Sequence, residues 1–146
     1  VECSTAEETL VGGGGGGLER DVVLKELESL GLEDDDARRR LAAAYGLDAL
    51  EIARTYPSAA GRRLHPDFPV VEAEVEWACD SEYAQTVADV LAIRTRLAFL
   101  DARAAIHAAP RVADLMADRL RWSRDQRDTQ LCQALAKLAD FLPPTE

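Results

Sequence analysis

From Leu18 onward, apolar side chains recur every three or four positions, which is the spacing of one face of an α-helix. Charged and polar residues fill most of the positions between them. The apolar positions that carry this pattern are Val23, Leu27, Leu30, Leu41, Tyr45, Val87, Val90, Leu91, Leu131, Leu135, Leu138 and Leu142. The pattern predicts an all-α fold, a single helical bundle of about six or seven helices over residues 18–142, with a short tail at 143–146.

Capping and helix-breaking residues predict where these helices begin and end. Gly31 and Gly46 directly follow apolar stripes, where glycine commonly ends a helix. Asp34–Asp36 supply an acidic first turn. Pro110 predicts the first turn of another helix, because proline has no N–H for the later turns, and Pro143 predicts the end of the last helix. The pairs with the spacing of a capping box are Thr86 with Asp89 and Ser123 with Gln126.

The stretch Val70–Ala78 fits two structures. Its apolar residues alternate with three glutamates, which is typical of a strand. The same residues place Val71, Val75 and Ala78 on one helical stripe, and glutamate and alanine are poor strand formers. Residues 57–69, with three prolines and a glycine, indicate a loop, and no second strand is evident as a partner. The sequence therefore predicts a helix here.

Residues 1–17 have no apolar periodicity and end in six consecutive glycines, Gly12–Gly17. Glycine loses more backbone entropy on ordering than any other residue. A glycine-rich loop that binds phosphate also needs a strand before it and a Lys-Ser/Thr pair or a spaced acidic residue after it, and these are weak or missing. The sequence predicts a flexible tail or linker.

Composition narrows the classes of partner. The formal net charge is −10, which repels phosphate backbones and anionic lipid, so nucleic acid is not an expected partner. No apolar run approaches the ~18 residues that a membrane span needs. The chain begins at Val1 with no signal-peptide pattern after it, which suggests a fragment of a longer protein.

The three cysteines are odd in number and far apart, which favours reduced thiols in a reducing compartment over a disulfide framework. They are Cys3, Cys79 and Cys132. The last two fall on apolar faces and are predicted to be small core residues.

The sequence offers no constellation for catalysis or metal binding. His65 and His107 have no second histidine or cysteine at ligand spacing, and no EF-hand loop is present. The acidic groups at Glu33–Asp36 and at Asp125 with Asp128 are expected to be solvated faces. No catalytic, cofactor-binding or metal-binding residue is predicted.

One interruption of the apolar pattern suggests a structural ion pair. The stripe that begins at Val87 predicts apolar residues at 94 and 95, but Arg94 and a threonine stand there. Either the helix breaks near Ile93, or Arg94 points inward and needs a carboxylate partner, because an unpaired buried guanidinium is costly. The nearby carboxylates are those of Asp89 and Asp101. An exposed arginine at a helix end remains an equal alternative.

Several blocks of this sequence resemble one family. The most specific block is Glu82–Asp101. The shorter blocks are Arg40–Gly46 with Ala49, Gly61–Pro66 and Glu72–Val75. Together, over roughly residues 38–123, they resemble the C-terminal domain of FAD-dependent glycerol-3-phosphate dehydrogenases, particularly the mitochondrial type. Ile93 departs from the family, which usually has the first of two arginines at this position.

The resemblance implies a helical cap beside the FAD-binding domain of a flavoprotein. Such an enzyme oxidises glycerol 3-phosphate to dihydroxyacetone phosphate and reduces quinone. Its FAD and substrate sites lie in the preceding domain, so the resemblance implies FAD in the parent enzyme, none on this chain, and that domain as the partner.

The resemblance also implies a location and gives the arginines a second interpretation. It implies the mitochondrial inner membrane if the source is eukaryotic, and the cytoplasmic face of the membrane if it is bacterial. The candidate ion pair or domain interface comprises Asp89, Arg94, Arg96 and Asp101, with Arg96 facing the flavin domain. The alternative is a free-standing helical interaction module derived from such a domain.

Overall fold

The computed structural model describes residues 20–143, so the predicted tail at residues 1–17 lies outside the described residues. Helices account for most of the described chain, which confirms the predicted fold class. The elements in chain order are α1 (Arg20–Ser29), α2 (Asp35–Tyr45), α3 (Asp48–Thr55), α4 (Pro57–Ala60), β1 (Arg63–His65), β2 (Phe68–Val71), α5 (Glu72–Ser81), a π-helix (Asp89–Arg94), α6 (Leu97–Leu100), α7 (Ala102–Leu120) and α8 (Arg124–Ala139).

Residues 20–143 contain nine helices, more than the six or seven that the sequence predicts. The difference arises because α4 and α6 have only four residues each, and the π-helix forms a separate element. Four residues are too few for an apolar periodicity to be recognised.

The helix boundaries predicted at Asp34–Asp36, Gly46 and Ser123 lie where the sequence places them, with Asp34 as the cap of α2 and Asp35 and Asp36 in its first turn. Asp34 accepts a hydrogen bond from the Ala37 amide at 3.2 Å and begins α2, and Gly46 ends that helix with a φ of 57°. At the start of α8, the Gln126 amide donates to the Ser123 hydroxyl at 3.2 Å, and the Ser123 amide donates to the Gln126 side chain at 2.8 Å. These predictions are confirmed.

The segment predicted as a loop, residues 57–69, is more ordered than expected. Pro57 opens the short helix α4, and β1 then pairs with β2 in an antiparallel hairpin, with Arg63 opposite Val71. The expectation that no strand could pair near Val70 was therefore wrong. The predicted helix is confirmed from Glu72 onward, because the hairpin ends at Val71 and α5 follows directly.

Pro110 does not open a helix, contrary to the prediction. It lies inside the 19-residue helix α7, on its exposed side. The buried face of α7 continues in register on both sides of the proline, through Ala105 and Ala109 before it and Val112 and Met116 after it. Packing of this face outweighs the hydrogen bond that proline cannot donate. The last helix, α8, ends at Ala139, earlier than the end that the sequence predicts at Pro143.

Helix α5 lies between two clusters of buried apolar residues. Ala73 and Trp77 face the first cluster, which α1 to α4 form with β2, and Val75 and Ala78 face the second, which the π-helix, α6, α7 and α8 surround. The side chains of a helix that is buried on both sides are usually small and apolar. Helix α5 nevertheless carries two buried glutamates, Glu72 and Glu74. These two carboxylates organise the candidate site.

The two described cysteines have different environments, although both are free thiols. Cys79 is buried at the end of α5, and burial raises the pKa of its thiol to about 11. Cys132 is exposed on α8, so its prediction as a core residue was wrong. The buried face of α8 is formed by Ala134 and Leu138, which leaves Cys132 on the solvent side.

A pair of leucines tests the packing of α1. Leu27 is fully buried, whereas Leu30 is 37% exposed. We expect Leu27→Ala to lower the free energy of unfolding by about 2–5 kcal/mol because it leaves a cavity, and Leu30→Ala by no more than about 1 kcal/mol. Urea unfolding of both variants measures this difference. Equal losses would contradict the packing of α1 against α2 and α3.

Candidate functional site

A buried ion pair joins α2 to α5. Arg40 donates two hydrogen bonds to the Glu74 carboxylate, at 3.1 and 2.9 Å. The Glu74 side chain is fully buried, and the Val71 amide also donates to it, at 3.0 Å. Burial raises the pKa of Glu74, while the guanidinium and the amide oppose that change. A carboxylate in this position needs all its donors, since the desolvation of a charge is costly.

The same arginine holds the backbone where the π-helix ends. Arg40 Nη2 donates to the Thr95 carbonyl oxygen at 3.1 Å, in addition to its bond with Glu74. The Tyr45 hydroxyl lies 3.4 Å from Glu74, and burial raises the pKa of this phenol. Three segments that are distant in sequence, α2, α5 and residues 94–96, are therefore connected by one network.

The π-helix and the turn after it have an unusual backbone. The Asp89 amide donates to the Thr86 hydroxyl, and the Thr86 amide donates to Asp89, so the predicted capping box is confirmed. At the other end, both the amide and the hydroxyl of Thr95 donate to the Val90 carbonyl. Arg96 then adopts a left-handed conformation with a φ of 58°. Such a conformation is strained for a side chain with a Cβ, and π-helical turns are frequent at functional sites.

The structure pairs Arg94 with Glu82, a residue that the sequence analysis did not consider. Arg94 Nη2 donates to the Glu82 carbonyl at 2.6 Å, and Nε lies 3.5 Å from the Glu82 carboxylate. Its side chain is 36% exposed. Asp89 and Asp101 are instead helix caps, since each accepts hydrogen bonds from backbone amides. The helix breaks at Thr95 and Arg96, close to the position that the sequence suggested.

Arg96 lies beside a surface groove that is lined by both apolar and polar groups. Its guanidinium lies over the Phe99 ring, 5.7 Å from the centroid, and Phe99 packs edge-to-face on Phe141 at 5.0 Å. Leu100 and Arg103 also line the groove, which lies between α6, the start of α7 and the residues that follow α8. Phe99 and Leu100 are 64% and 63% exposed, an unusual state for large apolar side chains.

A second buried carboxylate connects α5 to α7 and to the hairpin. Glu72 accepts hydrogen bonds from Arg111 at 2.7 and 2.9 Å and from Arg62 at 2.7 Å. Burial alone would raise the pKa of Glu72, but the bonds from Arg111 and Arg62 outweigh it and hold the pKa below its ordinary value. Glu72 therefore has a structural role and is charged at neutral pH.

The two histidines are close together in space, which their sequence positions did not indicate. The rings of His65, on β1, and His107, on α7, meet edge-to-face with centroids 5.1 Å apart. His65 also contacts Phe68. Among residues 20–143, no group of three or more potential metal ligands is found.

Sequence reasoning missed Arg40 and Glu74, the residues that connect the site. Arg40 follows two other arginines, and Glu74 lies between two other glutamates, so neither is conspicuous. A signal did exist, because Arg40 lies three residues after Ala37, on the buried face of α2. A charged residue on such a face needs a partner, but the sequence does not show which one.

Comparison with known proteins identifies the family of this domain. The profile of the family described as the C-terminal domain of alpha-glycerophosphate oxidase matches residues 3–127. The chain belongs to this family. The matched range includes the π-helix and the Arg96 turn. No solved structure matches the chain.

Curated relatives of the domain are mitochondrial glycerol-3-phosphate dehydrogenases. The enzymes of Bos taurus and Homo sapiens are each 38% identical over 117 residues, which is 75% of this chain and 16% of the relative. A probable enzyme of Caenorhabditis elegans is 40% identical over 114 residues, or 74% of this chain and 16% of the relative. The chain is thus a C-terminal domain of the glycerol-3-phosphate dehydrogenase family, and it spans about a sixth of the length of these relatives.

Arg40, on α2, and Arg94, at the end of the π-helix, are expected to differ in their contribution to stability. Arg40→Ala leaves the Glu74 carboxylate buried without its partner, so we expect it to cost about 3–5 kcal/mol. Arg94→Ala removes a half-exposed pair, and we expect about 1 kcal/mol, less than the 2–4 kcal/mol that a buried Arg94 would imply. Chemical unfolding of both variants measures the difference. A larger loss for Arg94→Ala would contradict this assignment.

The depressed pKa of Glu72 predicts a dependence of stability on pH. A carboxyl group whose pKa is lowered on folding stabilises the protein above its unfolded pKa, about 4.3, and loses this contribution as pH falls through the folded pKa. We expect Glu72→Gln to be less stable than the wild type at pH 7 and to lose less stability between pH 6 and pH 3. Urea unfolding across this range measures both.

Glu76→Gln on the same helix is the control, because no arginine contacts Glu76 among the described hydrogen bonds and ion pairs. It should follow the wild-type dependence on pH. If Glu72→Gln lost as much stability in acid as the wild type, the pairing of Glu72 with its arginines would not be the cause of the pH dependence.

Proposed function

We propose that this chain is the C-terminal helical domain of a FAD-dependent, quinone-linked glycerol-3-phosphate dehydrogenase. The parent enzyme oxidises glycerol 3-phosphate to dihydroxyacetone phosphate, and its FAD is bound by the preceding domain. This chain supports that domain structurally and contributes no catalytic group. The family match over residues 3–127 is the observation that carries the proposal.

The described charges are consistent with a supporting role. The buried carboxylates Glu72 and Glu74 are both paired with arginines, and Asp34 is paired with Arg63. Hydrogen bonds from Arg63 hold the pKa of Asp34 below its ordinary value. Catalytic acids and bases exchange a proton with the substrate, whereas these carboxylates are engaged by arginines within the fold.

The relatives suggest where the parent enzyme works. They carry the word mitochondrial in their names. We propose a mitochondrial location with inner-membrane association if the source is eukaryotic, and the cytoplasmic face of the membrane if it is bacterial. No helix between residues 20 and 143 is long and apolar enough to span a bilayer.

Flavin content and activity test this proposal. We expect the purified chain to contain no stoichiometric flavin and to show no glycerol-3-phosphate dehydrogenase activity. We expect the full-length parent protein to contain FAD, seen in its absorbance spectrum, and to reduce a quinone analogue when glycerol 3-phosphate is added. A flavin bound to the isolated chain, or a parent protein without flavin and activity, would contradict the proposal.

A further inference from the structure

Exposed apolar side chains are concentrated in one part of the described chain. Seven large apolar residues are exposed among residues 20–143, and four of them lie between Glu82 and Leu100. These four are Tyr83, Ile93, Phe99 and Leu100. Phe141 is a fifth, and it packs on Phe99 across the groove described above. Phe99, Leu100 and Phe141 line one groove, and a contiguous exposed apolar patch is typical of an interaction surface.

Hydrogen bonds from two arginines hold the backbone of the segment that leads to this groove. The Thr95 carbonyl accepts a hydrogen bond from Arg40, and the Glu82 carbonyl accepts one from Arg94. Two of the three positive-φ residues other than glycine, Tyr83 and Arg96, lie in the same segment. A surface that is already ordered loses little entropy when it binds a partner, and strained residues that persist in a fold are common at functional sites.

The charge at the rim of the groove is positive, although the chain as a whole is acidic. Arg96 and Arg103 have no ion pair among the described residues, while the Asp101 carboxylate accepts hydrogen bonds from the amides of Arg103 and Ala104. A fitting partner therefore presents apolar side chains to the exposed Phe99 and Leu100 and carboxylates to the two arginines.

We propose that the groove formed by Phe99, Leu100 and Phe141, with Arg96 and Arg103 at its rim, is the surface on which the preceding domain of the parent enzyme docks. The proposal rests on the proposed function. Two observations favour this occupant. The relatives are about five times as long as this chain, so most of a parent protein lies outside it. The net charge of −10 also opposes an anionic lipid surface, and α6 is too short to lie on a membrane as an amphipathic helix.

Hydrogen exchange of the isolated chain and of the full-length parent tests this docking surface. We expect the amides of residues 82–101 and of Phe141 to exchange at least tenfold more slowly in the lipid-free parent. Amides on the exposed side of α3 should exchange equally in both proteins. If residues 82–101 exchanged at the same rate in both, the proposal would be overturned.

A matched pair of variants identifies the side chains responsible. Leu100→Asp changes the groove, whereas Val22→Asp changes an exposed apolar residue on α1, with exposures of 63% and 42%. In the isolated chain, we expect both to unfold close to the wild-type temperature. In the parent, Leu100→Asp should abolish the tenfold protection, and Val22→Asp should leave it unchanged. Retained protection in Leu100→Asp, or equal loss in both, would overturn the proposal.

Two further measurements separate other occupants. Protection of the isolated chain that grows with protein concentration would indicate a second copy, and protection that appears only with phosphatidylglycerol vesicles would indicate a membrane. Either result would overturn the proposal. The flavin content of the same parent preparation reports on the proposed function separately, since a parent without FAD can still show whether residues 82–101 are covered.

Discussion

The fully buried carboxylate of Glu74 is the constraint on which the rest of this domain depends. A charge in that position is tolerated only if donors surround it, and the donors come from α2 and from the junction between β2 and α5. Arg40 binds both Glu74 and the Thr95 carbonyl, so the ion pair determines where the helix is interrupted after the π-helix. The Glu74 carboxylate thus determines how the two apolar clusters and residues 94–96 are positioned relative to one another.

This arrangement explains how an ordinary helical domain can hold an unusual surface. The π-helix and the left-handed Arg96 are each less favourable than a regular helix, so packing elsewhere must compensate for them. The buried residues of the segment, Val90, Leu91 and Leu97, provide that packing. The result is a short stretch whose inner side belongs to the core and whose outer side displays Phe99 and Leu100. This division matches the docking role that we propose for Phe99 and Leu100.

Features that depend on neighbouring residues could be predicted from the sequence, and features that depend on distant residues could not. The caps at Asp34 and Ser123 follow from hydrogen bonds within one turn, which the spacing of residues reveals. The Arg40–Glu74 pair joins residues 34 positions apart, and no local pattern selects it among the adjacent arginines and glutamates. The continuation of α7 through Pro110 also depends on packing against other helices. The interrupted apolar stripe indicated a helix break near Arg94. The partner of Arg94, Glu82, precedes the π-helix, and no sequence pattern indicated it.

Hydrogen exchange of an Arg40→Ala variant tests most directly whether the Arg40–Glu74 pair determines the position of the helix break at Thr95 and Arg96. We expect the Thr95 and Asp101 amides, which donate to the Val90 and Leu97 carbonyls, to lose much more protection than the amides within α8. The selective loss follows because the Thr95 carbonyl no longer has its donor. If protection instead fell uniformly across the domain, or did not change at residues 89–101, the Arg40–Glu74 pair would not hold this segment in place.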